Sequence, residues 1–203
     1  TMELNRGAKL AYEDVRSLGS KNGNVTVGYG SSFVLGAQED AALAHVSGAS
    51  GGVLLLSGER TTALDMAGMG LNSAYIGADG QAVLSGSVKA GTQGYLFGGS
   101  GTLTVACSLS GNHSLTVDTQ GMGTAGCVIL AADNSYSGET RILSGASLAV
   151  GAGETAGTLG TGVVVNEGTL TFNRTDRVTA GNAISGTGNL VQKGSGELVL
   201  TGN

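Results

Sequence analysis

Proline is missing altogether from these 203 residues, tryptophan is missing too, and aromatic residues make up only 4%. An ordinary chain of this length would carry about ten prolines. A strand that donates on both sides of a hydrogen-bond ladder rejects proline, so its total absence suits a protein in which nearly every strand is central. The scarcity of large rings argues against a broad globular core built on them. Charged residues are only 12%, the net charge is -5, and the ten lysines and arginines are scattered. With no basic cluster or stripe to hold phosphates, nucleic acid is not an expected partner. No apolar run approaches the ~18 residues that cross a bilayer. The strongest, GGVLLLSG at 51–58, is far too short, so direct membrane insertion of this segment is not expected. The amino end also lacks a signal-peptide pattern, and the chain reads as a piece of a longer protein.

Glycine is in excess, at 38 of 203 residues. High glycine with low hydrophobicity would mean disorder, but 40% of the residues are hydrophobic. That mixture favours a folded β protein with many turns. Between Ser137 and Asn203 the chain repeats itself: a glycine precedes a leucine-centred apolar run at Gly145 and Leu148, Gly168 and Leu170, Gly188 and Leu190, and Gly196 and Leu198. Leu148, Leu170 and Leu190 mark out intervals close to twenty. A period of that size, carried by Val, Leu and Thr in alternation, predicts a solenoid of short strands with one face in and one face out. One coil alone cannot bury its inward face, so stacking supplies the core.

The pattern GxGxLxKxGxGxLxLxGxNxYxGxT is split here between Gly186 to Asn203 and the earlier Asn134, Tyr136, Gly138 and Thr140. It resembles the autotransporter-associated β-strand repeat, found in passenger regions of Gram-negative autotransporters (type V secretion), many of them surface adhesins. Tyr95 to Val105 and Val128 to Val150 are similar in style, so the resemblance covers roughly residues 95 to 203. It implies an all-β fold, a right-handed parallel β-helix, on a segment held at the bacterial outer membrane by a barrel outside it.

In chain order, Thr1 to Ser20 has helix-like spacing at Leu10, Asp14, Val15 and Leu18, and is either a short helix or an irregular first coil. Asn24 to Gly28 and Ser32 to Gly36 read as strands, and Gln38 to Val46 as one helical turn or a loop leaving the helix body. Short strands follow at Val53 to Leu56, Ala74 to Ile76, Ala82 to Leu84, Tyr95 to Phe97, Leu103 to Ala106, Leu115 to Val117 and Val128 to Leu130. The expectation is one domain over 1–203, with irregular coils and loops in 1–90 and regular repeats in 91–203. About ten coils at ~4.8 Å each would make a rod roughly 50 Å long.

Cys107 and Cys127 are separated by one coil of that period. Stacked positions lie about 5 Å apart, which a disulfide accepts, so a disulfide between them is predicted in an oxidising, extracellular setting; the alternative is two free thiols. Catalytic patterns are weak. Gly121 to Gly126 fits G-x-G-x-x-G but leads into a strand, where a dinucleotide site needs a helix. Gly48 to Gly52 fits G-x-S-x-G without an α/β-hydrolase setting and reads as a turn. His45 and His113 have no acid nominated by spacing and read as surface or turn residues. Asp118 with Glu139, and Asp133 with Glu154, are likewise spaced by close to one coil, and its register would bring either pair together for glycoside chemistry. Set among Asn, Ser and Gly, they read rather as solvated corners. No catalytic residue, cofactor or metal is therefore expected. The expected function is a non-enzymatic surface adhesin or stalk. Its partners would be a host-cell or neighbouring-cell surface, protein or glycan, or a second copy of itself. The alternative is a polysaccharide-binding or polysaccharide-cleaving β-helix protein.

Overall fold

The computed structural model describes residues 1–36, 40–123 and 126–203. Its strands are short because glycine and polar corners interrupt every apolar run, and the named strands pair in parallel throughout. A 14-stranded parallel sheet runs through the molecule. The chain winds as a β-solenoid of about nine turns with 4% helix. That is one turn fewer than a uniform period of twenty predicts, because some turns run four or five residues over it: Thr140 stands beside Val164, and Leu115 beside Thr140.

Two faces carry most of the pairing. The first stacks Lys9–Leu10, Ser32–Leu35, the start of Val53–Arg60, the start of Tyr75–Leu84, Tyr95–Gly98, Leu115–Asp118, Thr140–Ile142, Val164–Asn166 and Ile184–Ser185. The second stacks the ends of Val53–Arg60 and Tyr75–Leu84 with Thr102–Val105, Cys127–Leu130, Ser147–Val150, Thr169–Phe172 and Asn189–Gln192. Val53–Arg60 and Tyr75–Leu84 thus serve both faces, and from Tyr95 onward the faces separate. Shorter parallel pairs, Met2–Leu4 with Val25–Val27, Leu64–Asp65 with Val88–Lys89 and Val178–Ala180 with Leu198–Leu200, lie on the return segments.

Alternation within each strand sends every second side chain inward, and parallel in-register stacking turns these into ladders. One runs Phe33, Leu54, Ile76, Phe97, Val117, Ile142, all buried, and ends on the buried amide of Asn166. Another runs Leu103, Val128, Leu148, Leu170, Leu190, so the leucines that mark the sequence repeat do stack once per turn. Their burial fails only at the last turn, where Leu190 is 42% exposed. Asparagine ties turns together at a corner: Leu109 N donates to Asn134 Oδ1 at 2.8 Å, and Asn134 Nδ2 donates to Thr158 O at 2.7 Å. Close stacking also explains one glycine, because a Cβ on Gly77 would lie 2.2 Å from the carbonyl oxygen of Gly98.

The first twenty residues combine both expected alternatives: strands at Met2–Leu4 and Lys9–Leu10, then a 3-10 turn at Val15–Leu18 capped by Asp14. The helical turn expected within Gln38 to Val46 is Asp40–Leu43; residues 38 and 39 lie outside the described residues. No helix among the described residues is long and apolar enough to cross a membrane.

Candidate functional site

The stacking is interrupted on its outer surface where a turn lengthens. Thr102 stands beside Cys127, whereas Val128 stands beside Leu148, so the earlier turn is the longer of the two by five residues. Part of the surplus, Thr119 to Gly123, leaves the end of Leu115–Asp118 and lies back over the first face. Gln120 makes this reversal in the left-handed backbone region, at φ 53, and is buried. Its Nε2 donates to Asp118 Oδ2 at 2.8 Å. A Cβ on the next residue, Gly121, would lie 3.4 Å from both Arg6 Nη2 and Tyr29 Oη, so the segment reaches the first two turns of the solenoid.

This segment covers apolar surface that the alternation sends outward. Val53 and Leu55 point away from the bore, opposite to Leu54 and Leu56, yet both are buried. A Cβ placed on Gly99 would lie 3.3 Å from Val53 Cγ1, 3.7 Å from Leu55 Cδ2 and 3.8 Å from Met122 Sδ. Tyr75, outward beside Val53, is half-buried in the same place. Its burial first, and the negative charge of Asp118 second, push its phenol up to about 12.

Between the segment and the first turns lies a groove of about 360 Å³. Arg6 and Met122 line it, and across it Lys9 Nζ reaches Asp79 Oδ1 at 2.6 Å. Arg6 is exposed and makes no ion pair among the described residues. A second space, of about 340 Å³, opens between Thr158–Thr161 and Val178–Asn182; its apolar walls are Val150 and Phe172, inward residues of the last turns.

The cysteines are not brought together. The turn between them exceeds the repeat, so Cys127 stacks beside Thr102, five residues earlier along the coil than Cys107. A disulfide needs neighbouring Cα atoms, and both thiols are free. Burial pushes both thiols up from their ordinary value. Lengthened turns also put the acid pairs out of register, each in its own place: Glu139 O accepts from Leu115 N, three residues before Asp118, and, through extra residues after Val150, Asp133 Oδ1 accepts from Gly157 N, three residues beyond Glu154. Neither pair stacks in register on neighbouring turns as the uniform period predicts.

Of the two expected settings, surface or turn, His45 takes the turn, where it is buried with Nδ1 3.2 Å from Asn24 Oδ1 and 3.3 Å from Lys21 O. His113 stands edge-on to Tyr95 at 5.7 Å. Ser50, the serine of the G-x-S-x-G pattern, is fully buried and accepts from Val27 N at 3.0 Å, bracing two turns. Among the described residues no group of three His, Cys, Asp or Glu side chains could hold a metal ion. Arg6, Tyr29 and the reach of the 119–123 segment were missed in the sequence; its last three residues were noticed only as the start of the Gly121 to Gly126 pattern, of which residues 124 and 125 lie outside the described residues. The one available signal was the interval between Thr102 and Cys127, which exceeds the repeat. Comparison with protein-family profiles, curated proteins and solved structures gives no match to this chain.

Proposed function

We propose that this chain is a non-enzymatic segment of a cell-surface β-solenoid of the autotransporter passenger kind, working as an adhesive stalk. The observation that carries the reading is the continuous parallel stack of about nine turns, each bonded mainly to its neighbours. Such a stack is stiff along its axis and offers long lateral surfaces, while its interior is filled by aliphatic ladders. The repeat-like residues Gly186 to Asn203 support the autotransporter element, and with it anchoring at the outer membrane through a barrel outside this segment. The partner would be a host-cell or neighbouring-cell surface, or a second copy of the chain. Many weak side-on contacts between rods add up through avidity, giving clumping of cells that display them. The test is to display the segment on a bacterial surface and measure settling of the culture and adherence to host cells, with sedimentation of the purified chain alongside. Clumping or adherence supports the reading; neither, with only monomer at high concentration, sinks it.

The groove beside Arg6 favours one part of a second reading, a β-helix that binds polysaccharide. Cleavage has less support, since the candidate carboxylates do not fall in register on neighbouring turns. Incubation with acidic and neutral polysaccharides separates the readings, because cleavage demands a product.

A further inference from the structure

We infer that the groove beside the 119–123 segment binds a carboxylated saccharide unit, with Arg6 receiving the carboxylate and Tyr29 packing against the sugar ring. The inference rests on the adhesive reading and names the chemistry its partner would present. Four observations carry it. The groove, at about 360 Å³, falls in the range of small-ligand sites and has room for one or two sugar rings. Arg6 is its unpaired cation among the described residues, since Lys9 is neutralised by Asp79, and a planar guanidinium matches a carboxylate in two parallel hydrogen bonds. Lys9 and Asp79 keep 50% and 37% of their side chains exposed, which leaves a paired donor and acceptor for ring hydroxyls without adding net charge. Met122 lines the groove, and the 55%-exposed ring of Tyr29 stands next to the lining residues Gly30 and Gly121, its hydroxyl 3.4 Å from the Cβ position of Gly121; together they offer the apolar surface that sugar C–H groups need. In a chain of net charge -5, this local positive site selects against the neutral sugars that the other groups would accept equally.

The experiment titrates the whole chain with glucuronic acid, N-acetylneuraminic acid, galactose and acetate, followed by calorimetry or NMR. At least one acidic sugar should bind about tenfold or more tighter than galactose and acetate. Which of the two binds separates a uronic-acid polymer from a sialylated surface as the source. Arg6→Gln should remove about tenfold or more of that affinity with thermal unfolding unchanged, and Tyr29→Ala should weaken sugar binding severalfold. No binding by either acidic sugar, equal binding of acetate, or an unaffected Arg6→Gln variant overturns the inference. Displaying the Arg6→Gln variant on cells keeps the two proposals apart. Clumping or adherence without sugar binding leaves the adhesive reading standing and removes this one; sugar binding by a chain that gives neither does the reverse.

Discussion

Arg60 carries its guanidinium inside the solenoid and pairs with Asp40, which reaches it from the single helical turn Asp40–Leu43. Arg60 begins an inward ladder that continues as Leu84, Val105, Leu130, Val150 and Phe172. Its side chain is fully buried, while that of Asp40 is 63% exposed, and Arg60 Nε and Nη1 have no hydrogen-bond partner among the described residues. The pair closes the end of the second face, where no earlier strand among the described residues continues the ladder. Asp40→Ala should therefore cost about 2–3 kcal/mol, below the full figure for a buried pair because Asp40 stays wet. Arg60→Leu extends the aliphatic ladder and should fall within about 1 kcal/mol of the parent. Denaturant unfolding of the two variants checks this, and equal destabilisation by both would contradict it.

The leucine ladder predicts a gradient along the axis. Leu170 is fully buried between neighbouring turns, and Leu170→Ala should cost about 2–5 kcal/mol. Leu190→Ala, at the exposed last turn, should cost less than about 1 kcal/mol. Stacked repeats open turn by turn, so hydrogen exchange at Val150 and Val191 is a better monitor than one global midpoint.

Three tyrosines set the alkaline limit. Burial raises the phenols of Tyr75, Tyr95 and Tyr136, and Tyr75 reaches about 12 from an ordinary 10.0. The Tyr75 phenol is neutral in both states below pH 10, whereas between pH 10 and about 12 the unfolded chain releases a proton that the folded one retains, and Tyr95 and Tyr136 act in the same direction. Stability should be flat with respect to these groups up to pH 10 and fall as pH rises toward 12. Tyr75→Phe should flatten part of that fall, read by unfolding at successive pH values beside the tyrosinate absorbance.

Thiol counting tests the separation of the cysteines. Without reductant, a thiol reagent should find two free groups per denatured chain. It should find few in the folded one, because both are half-buried and their thiolates are disfavoured. Replacing both by serine should leave the melting point within a few degrees of the parent, whereas loss of a disulfide would cost about 3 kcal/mol. An intact mass two hydrogens short would contradict the arrangement.

What the sequence by itself determined is local and periodic. Alternation in runs such as Leu148 to Val150 and Leu170 to Phe172, the glycine corners and the lack of proline are properties of a few residues at a time. Together they dictated short central strands stacked in parallel and the once-per-turn leucine ladder. Only the tertiary structure decided which positions on neighbouring turns meet, because inward ladders must align whatever length the corners absorb. The long turn from Thr102 to Cys127 leaves the flanking strands unchanged in pattern, yet it moves Cys127 away from Cys107, and the equally long step from Leu115 to Thr140 moves Glu139 away from Asp118. The surplus also frees Thr119 to Gly123 to lie across distant turns and bring Gly121 to Arg6, a contact over more than a hundred residues that no local period encodes.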